Sequence, residues 1–391
     1  MKTAVPNLAD LLRALCMPRN DASERELARV IDGVTDWDAL LDRARQHRIL
    51  PLLHLKLEQC AKCVPSHVLA QTRAEFERNA LHCMTNAEEL LRVLSEFEEA
   101  GIQAMPFKGV VLATAAYRDL TARTAGDIDV LICYRDLQRA TSLLKSRGYE
   151  LKTKTLQDGS PEAANYFEFH FERPSDGMVL ELRWRLELTQ PRYRFNLGLD
   201  WAWADRRSLL LTGAPVPNLD PVKSLLMLCM HGSKHAWSRW IWICDVGKLI
   251  ESEPSLDWTL ARAEAKRVGL ERCLALGVLL AGRGAGAAVP ARVFRQFAAD
   301  RSMSRLADCL LCSLLELPQA VSRIRLPYHL QILGSRDRAR ALLSPSILQP
   351  NDRDLGVVKL PPLLTPLYYL IRPIRILIDR LLDKAMSDLT L

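Results

Sequence analysis

The segment from Arg123 to Ile132, RTAGDIDVLI in one-letter code, constrains the fold and chemistry of this chain more than any other. Side chains alternate between faces in an extended segment, so Asp127 and Asp129 project to one face and the apolar residues to the other. Two carboxylates on one rigid surface suit a hard divalent cation, and Mg²⁺ prefers a few carboxylates with water and substrate phosphates. The segment therefore predicts a buried strand that carries a metal site.

A second acidic strand is predicted from Val179 to Leu188. The same alternation places Glu181 and Arg183 on one face and apolar residues on the other. If this strand neighbours the first one, Glu181 completes a set of three carboxylates with an arginine beside it. An isolated Asp-X-Asp also occurs in solvated turns, so the metal prediction depends on the combination of the three acids.

These motifs resemble the uncharacterised nucleotidyltransferase family within the DNA polymerase beta-like superfamily. The residues that carry the resemblance are Lys108-Gly109, the helix-like stretch Val110 to Tyr117, Arg123, Gly126-Asp127-Ile128-Asp129, Asp136 to Leu144 and Gly148-Tyr149. The resemblance extends upstream to residues 47–53 and downstream to 181–184 and 231–245. It covers roughly residues 40–250 and leaves out most of the last third of the chain.

The resemblance implies metal-dependent transfer of a nucleoside monophosphate from a nucleoside triphosphate, ATP among them, to an acceptor, with release of pyrophosphate. Asp127 and Asp129 match the paired metal ligands of the superfamily, which implies two Mg²⁺ ions. Glu181 matches the third carboxylate, which binds the metal nearer the acceptor oxygen. In one departure, the usual Gly-Ser at the start of the first helix is Lys108-Gly109 in this chain.

Four residues near the acids are candidates for substrate binding. Gly109 lets the backbone approach a phosphate where free N–H groups begin a helix, and Lys108 adds a positive charge there. Alternatively, Lys108 only ends a strand and points to solvent. Arg123 either neutralises a phosphate or holds the aspartates by ion pairing, and Arg183 lies beside the third acid. We expect Gly109, Lys108, Arg123 and Arg183 to lie at the site.

The stretch His231-Gly232-Ser233-Lys234-His235 adds three further candidates. His231 and His235 are four residues apart and share a helix face, a spacing that can ligate a metal. No acid follows His231 as in a hydrolytic zinc motif, and the histidines could simply pack the helix against the sheet. We include both in the substrate-binding set, with Lys234 as the better phosphate ligand.

The periodicity along the chain predicts an α+β fold, with short strands and interposed helices between two helical regions. The resemblance implies that this middle part is a small mixed-sheet nucleotidyltransferase domain enclosed by N- and C-terminal helical lobes. We expect a helical lobe at 1–100, the catalytic domain at 101–215 and a helical region at 216–391. Gly282 to Gly286 is predicted to be a loop. A basic stretch at 323–340 contacts RNA or acidic partners or is simply solvated, and the tail at 360–391 is expected to contain a helix that docks on the body.

Composition sets further bounds. The chain has 391 residues, 49% of them hydrophobic, and a formal net charge of +7, which suits a locally positive cleft and does not by itself support nucleic-acid binding. We expect no transmembrane helix and a cytoplasmic location. Ten cysteines in such a chain are expected to be reduced and buried. Cys309 and Cys312 are predicted to face the core, and they are far from Cys60 and Cys63 in the sequence. Both features argue against a zinc site formed by these four cysteines.

A non-catalytic nucleotide-binding or regulatory protein on the same fold is the alternative function. Nothing in the sequence excludes it, although a decayed site would be expected to lose at least one of the three acids. The sequence does not identify the acceptor, which could be a small molecule, a protein or RNA. Nor does it determine the preferred base or the oligomeric state.

Overall fold

A five-stranded mixed sheet carries both acidic strands of the chain. The computed structural model describes residues 21–153, 167–186, 197–316, 328, 331 and 332, and these belong to one compact unit. The sheet consists of β1 (Ala104–Pro106), β2 (Ile128–Ile132), β3 (Glu150–Leu151), β4 (Glu168–Arg173) and β5 (Met178–Arg183). Its spatial order is β1-β2-β5-β4-β3, in which β2 and β5 are parallel and the other pairs antiparallel.

Helices precede the sheet, lie between its strands and follow it. They are α1 (Asp21–Asp32), α2 (Trp37–Gln46), α3 (Leu50–Gln59), α4 (Ser66–Glu99), α5 (Gly109–Leu112), α6 (Leu137–Ser146), α7 (Leu199–Trp203), α8 (Pro221–Lys234), α9 (Trp240–Ser252), α10 (Trp258–Val268), α11 (Glu271–Gly284), α12 (Ala291–Ala298) and α13 (Arg301–Glu316). A separate hairpin, β6 (Arg207–Leu211) with β7 (Ala214–Asn218), follows α7. The predicted α+β class with a mixed sheet is confirmed.

The hydrophobic core explains which face of the sheet remains for polar side chains. In β4 and β5 burial alternates along the strand, with Phe169, Phe171, Leu180 and Leu182 fully buried. These residues pack in one cluster with the apolar residues of α4 and α6. Alternation then places the residues between them, including Glu181, on the opposite face. The acids are therefore carried by the sheet surface that the core leaves free.

A buried carboxylate on the long helix α4 fixes that helix to the sheet. Glu89 is 2% exposed and accepts hydrogen bonds from Arg147 and Arg173, each at 2.9 Å, and from the Tyr149 hydroxyl at 3.2 Å. Arg173 lies on β4, and the other two donors lie between α6 and β3. One charged group thus links α4, α6 and the far edge of the sheet.

Glu89→Gln is expected to lower the free energy of unfolding by about 1–3 kcal/mol, because the charge-assisted bonds to two arginines are lost. The loss is limited because Arg147 also pairs with Glu96 and Arg173 with Asp176. Urea unfolding followed by circular dichroism measures it. The control Glu88→Gln removes an exposed charge on the same helix and is expected to change stability by less than about 0.5 kcal/mol. Equal effects of the two substitutions would contradict the prediction.

Two predictions for the C-terminal helices are wrong. Gly282 to Gly286 is not a loop throughout, because α11 continues to Gly284. A Cβ atom on Gly282 would lie 2.5 Å from Phe294, and one on Gly284 would lie 2.8 Å from Leu311, so these glycines allow close helix packing. Cys309 and Cys312 are exposed on α13 rather than core-facing. Cys229, Cys244 and Cys273 are buried free thiols, as predicted.

Some sequence predictions lie outside the described residues. They include the apolar period at 8–15, the tail at 360–391 and the basic stretch at 323–340 apart from residues 328, 331 and 332. In the part of the chain that is described, no helix combines the length and the apolar character that crossing a membrane requires.

Candidate active site

Strand pairing brings three carboxylates together. In the parallel register of β2 and β5, Asp129 lies opposite Glu181, and Asp127 directly precedes β2. One carboxylate oxygen from each of the three lies within 4.8 Å of the others. Neighbouring strands are about 4.8 Å apart, so this clustering follows from the ladder itself. The three acids singled out in the sequence thus form one cluster.

The burial and bonding of Asp129 fit a metal ligand. Its Oδ1 atom is buried without a hydrogen bond, although the Lys108 ammonium lies 2.8 Å away and Arg183 Nε lies 3.4 Å away. Burial and the neighbouring charge of Asp127 still disfavour the ionised carboxylate, and a coordinated cation would offset that cost. Three carboxylates are also the donor set that a hard divalent cation prefers. These residues could therefore hold such a cation.

The pKa values of Asp129 and Glu181 are shifted in opposite directions. Burial raises the pKa of the Asp129 carboxyl, and Asp127 adds to this while Lys108 opposes it. Burial alone would also raise the pKa of Glu181, but the charges of Arg183 and Lys108 outweigh it and lower that pKa. Glu181 is therefore ionised, and Asp129 is the acid at which a cation relieves the larger electrostatic cost.

The turn between β1 and α5 brings Lys108 to the acids. Lys108 has a backbone φ of 59° and Gly109 a φ of 46°, both in the left-handed half of conformational space. A Cβ atom on Gly109 would lie 3.1 Å from the Asp127 carbonyl oxygen, so only glycine lets the two segments approach this closely. Lys108 is 9% exposed, which excludes the alternative that it points to solvent.

Arg183 bridges acids of three strands. Its guanidinium pairs with Glu181 on its own strand and with Glu168, its cross-strand neighbour on β4, and it lies 3.4 Å from Asp129. Glu168 was not among the predicted site residues, and only the register of β4 with β5 shows that it belongs to this cluster. Arg183 therefore lies at the site, as expected, but already carries carboxylate partners.

Arg123 takes a different place from the one expected. Its Nε and Nη2 atoms donate to the two carboxylate oxygens of Asp245 at 2.7 and 2.9 Å, and the Tyr117 hydroxyl donates to the same group at 2.7 Å. The ion pair of Arg123 is therefore with Asp245 and not with the aspartates of the cluster, and its contact with a phosphate stays a prediction. Asp245 on α9 is 1% exposed, and its charge needs this partner. Arg123 anchors the segment that leads into β2.

The end of α8 lies beside the acids. His231 and Lys234 line a cavity of about 20 Å³ together with Lys108 and Arg183. Burial and the surrounding positive charges lower the pKa values of His231, Lys234 and His235. The His231 and His235 rings are 4.8 Å apart, and neither belongs to a group of three metal-ligating side chains within the described residues. Both histidines are therefore held neutral beside the cluster.

The fold and its three clustered acids define the class of the protein. A family model described as uncharacterised nucleotidyltransferase matches residues 33–286, and the chain therefore belongs to the uncharacterised nucleotidyltransferase family. Membership in this family makes the protein a nucleotidyltransferase, and the suspected resemblance is confirmed. No curated protein matches the chain significantly.

Proposed function

We propose that the protein transfers a nucleoside monophosphate from a nucleoside triphosphate to an acceptor, releasing pyrophosphate, with Asp127, Asp129 and Glu181 as ligands of Mg²⁺. The observation that carries this proposal is the register of Asp129 with Glu181, which together with Asp127 places one oxygen of each carboxylate within 4.8 Å of the others. Two Mg²⁺ ions, ATP as one of the triphosphates and a cytoplasmic location belong to the same proposal.

Each group of side chains has a role in this reaction. When bound, the metal would activate the acceptor oxygen and stabilise charge on the leaving pyrophosphate. The carboxylates hold and orient it, and the charge of Arg183 keeps Glu181 ionised for that purpose. Lys108 and Lys234 supply positive charge where negative charge gathers on phosphate oxygens. Gly109 lets the backbone approach the phosphates closely.

Binding and turnover test the proposal separately. Calorimetry should detect triphosphate binding that depends on Mg²⁺, and incubation with labelled triphosphates and cell lysate should yield a labelled product together with pyrophosphate. Binding with no product under any acceptor would favour the non-catalytic alternative. Absence of Mg²⁺-dependent binding would reject the proposal.

Lys108→Ala is expected to weaken triphosphate binding by about 1.5–3 kcal/mol, the range for a charge-assisted hydrogen bond, and to affect monophosphate binding much less. The ammonium group lies 2.8 Å from Asp129 and so borders the proposed metal and phosphate positions. Calorimetry with both nucleotides measures the difference. Lys248→Ala, which removes a lysine paired with Glu251 on α9, is the control. An equal loss for both nucleotides, or no loss, would show that Lys108 does not bind phosphate.

A further inference from the structure

The turn between α2 and α3 holds Arg48 in a strained backbone conformation. Its φ is 56°, which is uncommon for a residue other than glycine. The Arg48 N–H donates to Arg45 at 3.0 Å, and its carbonyl oxygen accepts a hydrogen bond from the Thr124 hydroxyl at 3.1 Å. The next residue, Ile49, donates to Ala44 at 2.9 Å. Such strain persists only where its surroundings enforce it, and it concentrates at functional sites.

The Arg48 side chain reaches the acidic segment. Its Nη1 atom lies 3.6 Å from the position that a Cβ atom on Gly126 would occupy, and Gly126 directly precedes Asp127. The absence of a side chain at Gly126 leaves the guanidinium next to the backbone that carries the first acid. The Arg48 guanidinium therefore lies beside the backbone of the residue that precedes Asp127.

Arg239 lies beside Arg48. It directly precedes α9, whose first turn is attached to the Arg48 turn, because Ile241 N–H donates to the His47 carbonyl oxygen at 3.2 Å. Its guanidinium lies 5.7 Å from the centre of the Trp242 ring. Partial burial and the like charge of Arg48 together lower the pKa of Arg239. The backbone bond between Ile241 and His47 thus brings the turns that carry the two arginines together on this side of the acidic segment.

These two guanidinium groups lack the partners that other arginines near the site have. Arg123 pairs with Asp245, and Arg183 pairs with Glu168 and Glu181. Across the described ranges 21–153, 167–186 and 197–316, neither Arg48 nor Arg239 has a carboxylate within ion-pair distance. Arg48 is exposed and Arg239 is half-buried, and an anion bound between two neighbouring guanidinium groups would relieve their repulsion. The positive charge of these two arginines is the kind that a subsite for an anionic ligand requires.

We propose that Arg48 and Arg239 bind the terminal phosphates of the nucleoside triphosphate. The proposal rests on the proposed function. Planar guanidinium groups suit phosphate oxygens because they donate two parallel hydrogen bonds. The triphosphate is favoured over a phosphorylated acceptor because two cationic side chains match the several negative charges that adjoining terminal phosphates carry.

Calorimetry in Mg²⁺ with inorganic pyrophosphate, a non-hydrolysable triphosphate and a monophosphate tests this subsite. The variants are Arg48→Asn, which keeps a residue that tolerates the left-handed conformation, and Arg239→Gln. Each is expected to weaken triphosphate and pyrophosphate binding about tenfold or more and to leave monophosphate binding nearly unchanged. Arg118→Asn is the matched control, because Arg118 is an exposed arginine with a φ of 58°. Arg48→Lys should restore part of the affinity.

The outcomes separate this subsite from the proposed function. Wild-type affinity in both variants would overturn the subsite and leave the proposed function intact. No triphosphate binding by the wild-type protein would overturn both. Equal losses for monophosphate and triphosphate would place the arginines elsewhere on the nucleotide. Loss of affinity for single-stranded RNA with unchanged pyrophosphate binding would assign them to the acceptor, and either of these results contradicts the proposal.

Discussion

Asp127→Asn is expected to reduce nucleotide transfer by about 10³-fold or more, because asparagine keeps the shape of the side chain but removes a charge that holds the metal. Asp127 is half-buried, so the substitution should change the free energy of unfolding little. Pyrophosphate release from labelled triphosphate measures activity, and a thermal melt of the same sample measures folding.

Asp129→Asn should abolish transfer as well, but with a different effect on stability. Asp129 is buried against Lys108, so its neutralisation leaves a buried ammonium group without its nearest counter-charge. A lower melting temperature is therefore expected for this variant only. Asp176→Asn, in the exposed turn between β4 and β5, is the control and should transfer normally. Retained transfer by purified Asp127→Asn would remove the basis of the proposed function.

Arg123→Met is expected to lower the free energy of unfolding by about 3–5 kcal/mol, because it leaves the buried carboxylate of Asp245 without its partner. Urea unfolding followed by intrinsic fluorescence measures the change. The exposed pair of Arg73 with Glu58 provides the control, since Arg73→Met should cost no more than about 1 kcal/mol.

A double-mutant cycle with Asp245→Leu separates the ion pair from general packing. The double variant should be less destabilised than the sum of the two single variants, because the remaining buried charge is removed too. Recovery will be incomplete, since the Tyr117 hydroxyl also donates to Asp245. Strict additivity of the two substitutions would show that the pair does not stabilise the fold as a unit.

The alternation of apolar and polar residues was sufficient to predict the sheet and the acids on it. Burial alternates along β5 as expected, whereas every residue of β2 is buried, Asp129 included, and the family is confirmed over residues 33–286. Alternation does not show which strands are neighbours. The sequence could therefore predict that Asp129 lies beside Glu181 only on the condition that their two strands pair. The partner of Arg123 could not be predicted, because Asp245 lies 122 residues away in the chain and is brought near only by α9.

The remaining differences have local physical causes. Gly282 and Gly284 indicated a loop, yet both glycines are used in α11 because neighbouring helices leave no room for a Cβ atom. Helical periodicity placed Cys309 and Cys312 on the wrong face, because the buried face of α13 is formed by their neighbours, such as Leu310. Arg48 was overlooked because its importance comes from a turn that contacts Gly126, a contact that no periodicity reveals.

The pairing of β2 with β5 has a consequence for how the site tolerates change. The chain between these strands includes α6, β3 and β4. The distance between Asp129 and Glu181 is nevertheless set by the backbone hydrogen bonds between β2 and β5 and not by the connecting segment. Insertions or a proteolytic nick in the exposed turn at residues 174–177 would leave the ladder intact. The cluster of acids could therefore be assembled from two separate polypeptides, divided at that turn and joined only by the sheet.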